Sequence, residues 1–258
     1  MDSVPGGQTT EAKPLLHGFG GETYDWKVGR WLPVDASQVS PDGSTYAFFD
    51  FIPNRPQLTV VDVASGAAHV VFVGDPVFTW AVVGNGPQGI YVTHGNGPGG
   101  GDSNPDRLWL VTSSGILTSV SDRRSVGGWR ISGGSAWGVE TDDPSKLNQP
   151  GNEERLVQVD LASGIATVWL RRTGTLVEAL GTEPDGSALT LVSDPLALWL
   201  VASPGTEHEV VAMGSYANTT RDLHGIWLSN DRGLWLITPQ AQAIAVSSIQ
   251  AVPAGTCN

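Results

Sequence analysis

Val60-Val61-Asp62-Val63-Ala64-Ser65-Gly66 is a short apolar strand that runs into a polar turn closed by glycine, and the chain writes it again and again. Leu108-Trp109-Leu110-Val111-Thr112-Ser113-Ser114-Gly115 and Val157-Gln158-Val159-Asp160-Leu161-Ala162-Ser163-Gly164 are plain copies. Leu198-Trp199-Leu200-Val201-Ala202-Ser203-Pro204-Gly205 is a fourth. Alternating apolar residues bounded by Ser, Asp and Gly read as strand and turn. A strand-built unit recurring at roughly 40–50 residues points to a β-propeller, a ring of small antiparallel sheets.

Outward from these phrases, five repeats emerge. The first spans about 35–74, with a Ser40-Pro41-Asp42-Gly43 turn and strands at 44–51, 57–63 and 67–73. The second spans about 77–122, with strands at 79–83, 89–93, 107–111 and 116–120. The third covers about 126–170, with strands at 136–140 and 155–160. The fourth covers 175–213 and repeats the turn as Glu183-Pro184-Asp185-Gly186. The fifth covers 217–249, where residues 226–236 form a hairpin about Asn230-Asp231-Arg232-Gly233. Ahead of them, Tyr24-Asp25-Trp26 and Arg30-Trp31-Leu32 read as one more hairpin. The expected fold is therefore all-β: a propeller of five four-stranded blades plus an N-terminal hairpin, over residues 22–258. The alternative is six blades, one of them incomplete. Five is preferred because too few residues follow Ile249 to complete another four-stranded sheet. Helical periodicity is absent almost everywhere.

Composition agrees. Gly 33 and Pro 17 suit many turns, while charged residues at 16% and hydrophobic ones at 40% do not suit disorder. Ten Trp supply wide rings for the wedges between blades. A formal net charge of -12 argues against nucleic acid and anionic membrane surfaces, and permits a cation or a basic partner. Cys257 is the only cysteine, so no internal disulfide forms. No apolar run is long enough to span a bilayer. Residues 1–21 read as a flexible Gly-, Pro- and Thr-rich linker. Such a linker leads to the expectation of an extracytoplasmic protein, secreted or anchored, whose targeting segment has been removed.

Gly21-Glu22-Thr23-Tyr24-Asp25, Gly29-Arg30-Trp31-Leu32-Pro33-Val34, the stretch Val39-Ser40-Pro41-Asp42-Gly43-Ser44-Thr45-Tyr46-Ala47 and His224-Gly225-Ile226-Trp227-Leu228 resemble uncharacterised bacterial extracytoplasmic β-propeller proteins, loosely TolB-like and WD40-like. The resemblance covers about residues 20–257. It implies the fold and a secreted or anchored location, and carries no catalytic motif. The WD40 Gly-His and Trp-Asp signatures are not repeated here.

Two connections exceed ordinary hairpin loops. One runs from His94 to Asp106 and includes Asp102; the other runs from Thr141 to Glu154 and includes Asp142 and Asp143. Neighbouring blades of a propeller place them side by side at one rim, a natural ligand surface. The bland reading is that both are tolerated insertions. Asp102, Asn104 and Asp106 alternate oxygen ligands as hard-cation loops do, so a divalent cation such as calcium is a candidate, although EF-hand spacing is absent. Inner strands are expected to bring Asp35, Trp80, Trp129, Arg130, Glu178, Arg221 and Asp222 toward the channel. Packing between blades is the competing role for the Trp residues. No HExxH, nucleophile elbow or phosphate loop is present. The reading is a monomeric, non-catalytic binding or scaffold module for a protein, glycan or small molecule. The rival is a metal-assisted hydrolase or lyase in which Glu178, Asp35 and Asp222 hold the cation.

Overall fold

The structure, a computed structural model, describes residues 23–25, 29–52, 55–86, 88–96, 106–147, 149–183, 185–193, 195–213, 218–222, 224–230, 232–240, 242–248 and 256–257. Among them every regular element is a strand apart from two 3-10 turns, Ala36–Gln38 and Pro144–Lys146.

Each repeat folds as an antiparallel meander. The first contains β3 (Thr45–Ile52), β4 (Arg55–Asp62) and β5 (Ala68–Val73). Its innermost position is reduced to a single bridge, Val39 to Tyr46, because residues 36–38 take the 3-10 turn that the Gln38 side chain closes on Asp35 N–H at 2.9 Å. The second repeat contains β6 (Phe78–Gly86), β7 (Gly89–Asn96), β8 (Asp106–Val111) and the start of β9 (Leu117–Ser132). The rest of β9 begins the third repeat, followed by β10 (Ser135–Thr141), β11 (Glu153–Asp160) and β12 (Ala166–Thr173). Thus β9 pairs with β8 through Ser125 and with β10 from Val126 onward, joining two repeats in one seven-stranded ladder. The fourth repeat is β13 (Val177–Thr182), β14 (Ala188–Val192), β15 (Ala197–Ser203) and β16 (Thr206–Ala212). The fifth is β17 (Asn218–Asp222), β18 (Gly225–Asn230), β19 (Gly233–Ile237) and β20 (Ala243–Ser247).

The recurring turn has a single chemistry. Asp62 accepts from Ser65 N–H and Oγ at 2.7 and 2.6 Å, and Asp160 does the same for Ser163 at 2.7 Å each. Gly66 and Gly164 then donate back to Asp62 and Asp160 carbonyls, both at 2.8 Å. These Asx turns let Asp serve as the local acceptor that a bare loop would otherwise seek from water.

Side-chain alternation glues each sheet to the next. On β3, Tyr46 and Phe48 face one cluster while Ala47 and Phe49 face another. On β7, Ile90 and Val92 join the second of these and Tyr91 turns the opposite way, toward Val157 and Val159 of the third repeat. On β10, Ala136 faces back and Trp137 and Val139 face forward, to Val177 and Val192. On β14, Leu189 and Leu191 reach Ile226, Leu228 and Ile237 of the fifth repeat. A strand whose successive residues point to opposite faces, both apolar, is what a stack of sheets requires.

The ends close this stack. The hairpin of β1 (Thr23–Asp25) and β2 (Arg30–Leu32) forms with β21 (Thr256–Cys257) a small sheet of its own, β21 running parallel to β1. Leu32 and Val34 pack on Tyr46 and Val61 of the first repeat, and β21 lies against β17 of the last. Among the described strands the hairpin pairs with none of the five repeat sheets. After Ile249 the described residues are Thr256 and Cys257, which form that short strand.

Candidate functional site

The connection from β10 to β11 is a built structure. Asn152 is only 5% exposed and stands at its centre. Its Oδ1 accepts from Asp143 N–H at 3.0 Å. Its Nδ2 faces Thr141 Oγ1, Lys146 O and Asp143 O at 2.7, 3.0 and 3.2 Å. Asp143 caps the 3-10 turn, accepting from Ser145 Oγ and N–H at 2.7 and 3.0 Å, with Lys146 Nζ 2.9 Å away. The Ser145 hydroxyl above all, then Lys146, holds the Asp143 carboxyl at a pKa of about 2. Backbone bonds Lys146 N–H to Asp143, Gln149 to Lys146 and Asn152 to Gln149 continue the coil. Glu154, 1% exposed, anchors the end of the loop to the next sheet by accepting from Val177 N–H at 2.8 Å.

A strip of ion pairs lies at the base of this loop. Arg155 donates to Asp142 at 2.7 Å and to Glu153 at 2.9 Å. Arg171 shares the same Glu153 oxygen at 2.6 Å. Arg123 grips both oxygens of Glu140 at 2.9 and 2.7 Å. The Arg155 bond, more than any other cause, keeps Glu153 below the ordinary carboxylate range. Registry explains the strip: Arg155 lies opposite Glu140 on β10 and opposite Arg171 on β12.

The inner strands bring two expected residues together. Arg130 on β9 and Glu178 on β13 sit 3.7 Å apart, and Arg130 Nε donates to the Ala179 carbonyl at 3.4 Å. Burial pushes the Glu178 carboxyl above its ordinary value, opposed in part by the Arg130 charge. Asp35 is exposed at the start of the first 3-10 turn. Trp80 and Trp129 are 4% and 5% exposed within the inter-sheet clusters, so both rings pack between sheets and present no face to a channel. The reason is alternation: on β6 and β9 these positions point sideways into the wedge, whereas the exposed Arg130 does not. Arg221 and Asp222 lie on β17 opposite Ile226 and Gly225.

His94 ends up half-buried among rings, 4.4 Å from Phe78, 4.6 Å from Trp80 and 5.5 Å from Trp109 between centroids. Desolvation first, then Arg107 and Arg124, push its pKa down. Asp106 opens β8 opposite Ser125. Asp102 and the rest of 97–105 lie outside the described residues, as does the expected meeting of the two long loops. Among the described residues no three His, Cys, Asp or Glu side chains gather as a cation site. No described helix is long and apolar enough to cross a membrane. Sequence reading did not foresee Asn152 as the centre of its loop, nor Arg155 and Arg171 as partners of Glu153.

No family model matches the chain, and no curated protein matches its sequence. Solved structures do match. An oligogalacturonate lyase in complex with manganese, itself a β-propeller protein, aligns with a TM-score of 0.61 at 15% identity, over 83% of this chain and 64% of that one. A structure from a study of two prolyl endopeptidases aligns at 0.54 and 16% identity, over 81% and 36%. TolB from Acinetobacter baumannii aligns at 0.48 and 12% identity, over 84% and 55%. The chain thus spans less than two thirds of the length of these proteins. At such identities the first two likenesses carry one conclusion: the chain has the all-β fold of a propeller.

Proposed function

We propose that this chain is a non-catalytic binding or scaffold propeller acting outside the cytoplasm, and that it recognises a protein, glycan or small molecule through the face carrying the 141–154 loop. One observation carries the reading. A merely tolerated insertion needs no internal frame, yet this loop is folded around a buried Asn152 and anchored by Glu154. Rigid loops bind without a large ordering cost. Asp142, Glu153, Arg155 and Arg171 supply both charge signs along its base. The extracytoplasmic location rests on the linker-like N-terminal composition and on the resemblance of the sequence.

Glu178 favours a second reading, a metal-assisted hydrolase or lyase in the channel. A half-buried carboxyl with a raised pKa beside an arginine is a familiar feature of reactive sites. A thermal-shift screen with divalent cations, saccharides and peptides separates the two, since a ligand of the folded state raises the melting temperature. Binding through the loop predicts stabilisation by a saccharide or peptide that Asn152→Ala abolishes. Stabilisation by cations alone, abolished by Glu178→Gln and not by Asn152→Ala, contradicts it.

A further inference from the structure

One row of side chains crosses all four strands of the second repeat. Trp80 on β6 lies opposite His94 on β7, His94 opposite Arg107 on β8, and Arg107 opposite Arg124 on β9. Directly opposed residues share a face of the sheet, so the four point one way, toward the first repeat, where Trp80 packs on Phe49. The row therefore runs from a buried indole to an exposed arginine.

Two like charges meet at the outer end of this row. A guanidinium directly opposite another costs a sheet stability. Little in the protein offsets that cost. Arg124 is exposed and forms no ion pair among the described residues. Arg107 Nη1 reaches Asp122 at 3.9 Å, and that carboxylate is 92% exposed, so the pair is weak. The Nε of Arg107 is buried and has no hydrogen-bond partner among the described residues. Arg123, next in sequence to Arg124, turns away to grip Glu140. Asp75 is the acid that acts on His94, and its Oδ1 already accepts from Val77 N–H at 2.9 Å. Inward of the arginines the His94 ring is held among Phe78, Trp80 and Trp109, with its Nδ1 buried and likewise without a described partner.

We propose that Arg107 and Arg124 together bind a doubly charged tetrahedral oxyanion, a sulfate or phosphate group. Two planar forks side by side present paired donors to such a group, and its charge relieves the repulsion between them. Arg107 and Arg124 also press on His94 as like charges, after desolvation, and hold its pKa down. An anion on the pair lifts part of that pressure. Anion binding and protonation of the imidazole therefore favour each other, and by linkage each strengthens the other equally. The inference does not depend on the loop-face function proposed above, because none of its residues lies in the 141–154 loop.

Sodium sulfate probes the free ion and glucose 6-phosphate the ester, each titrated by calorimetry at pH 8 and low salt, where both are dianions. The wild type binds at least one of them, and the tighter of the two shows whether the group arrives free or as an ester. Arg124→Gln weakens that binding roughly five-fold, the scale of one exposed ion pair, and Arg124→Lys recovers part of it. Arg172→Gln, in another repeat where the guanidinium pairs with Glu207, leaves it unchanged. Asn152→Ala leaves it unchanged as well, so failure of the loop-face reading is told apart from failure of this one. Arg124 is exposed, and its replacement spares the fold, as circular dichroism checks. The wild type alone also decides the matter: the ligand that binds raises the pKa of the His94 ring, followed by NMR. No binding of either probe, equal affinity in wild type and Arg124→Gln, or a His94 pKa that stays or falls on binding would overturn the proposal.

Discussion

Asn152→Ala is the sharpest perturbation of the candidate site. The side chain accepts one hydrogen bond and, with two amide protons, makes at most two full donations among its three nearby acceptors. Three bonds at a net 0.5–1.5 kcal/mol each give about 3 kcal/mol, reduced to about 2 where water reaches the freed carbonyls. For a domain of this size that is a fall in melting temperature of about 4–10 °C. Asn152→Asp should lose as much or more. It keeps the acceptor for Asp143 N–H but turns oxygens toward the Asp143 and Lys146 carbonyls. Ser145→Ala, at an exposed position, removes only one hydroxyl bond and should stay within about 0.5 kcal/mol of wild type. Urea denaturation measures all three. Hydrogen exchange at the Lys146, Gln149 and Asn152 amides then shows whether the loss is local, since each amide is bonded within the loop. If Asn152→Ala leaves both the midpoint and those exchange rates unchanged, the loop is not framed by this residue and the argument for a preformed surface fails.

Trp137→Ala should cost about 3–5 kcal/mol in urea unfolding, because the ring is 1% exposed between the third and fourth sheets. Glu178 gives a pH signature. Its folded pKa is raised, so the native state holds the proton more tightly than the unfolded chain. This group therefore favours folding as pH falls through the raised pKa, and its charged form opposes folding above it. Glu178→Gln should remove that slope from the urea midpoints, and Arg130→Ala should move the carboxyl's NMR titration further up. Gly225→Ala should destabilise by more than about 1 kcal/mol, since φ is +138 there and a Cβ would run into the Ile237 carbonyl. Calorimetric unfolding reads that loss.

Much of the fold is legible in the sequence because it is local. The Asp-x-x-Ser-Gly turns at 62–66 and 160–164 satisfy their own hydrogen bonds, so their residues announce them. The hairpin at 226–236 is written in its glycine and its flanking apolar pairs. What is not local is hidden. Nothing between Val120 and Val126 marks whether β9 stops or continues, because both halves have strand-like residues and the choice is made by separate partners, β8 and β10. The closure of the ring depends on residues 23–25 meeting 256–257 across the whole chain. At the site, the length of the 141–154 loop was visible, but Asn152 looked like any turn asparagine until its acceptors were placed around it. Trp80 and Trp129 carried the opposite ambiguity: an aromatic on an inner strand suits a channel or a wedge, and only the direction of the side chain decides.

The ring itself is tested by the distance between its ends. Cys257 is the chain's only cysteine and lies opposite Tyr24 in the parallel pair. Spin labels on Cys257 and on a Tyr24→Cys variant sit on neighbouring strands, whose backbones are about 4.8 Å apart. The continuous-wave spectrum of the doubly labelled protein should show strong dipolar broadening that is absent with Cys257 labelled alone. A doubly labelled spectrum equal to the sum of the single ones would place the ends apart, and the sheets would form an open stack instead of a closed propeller.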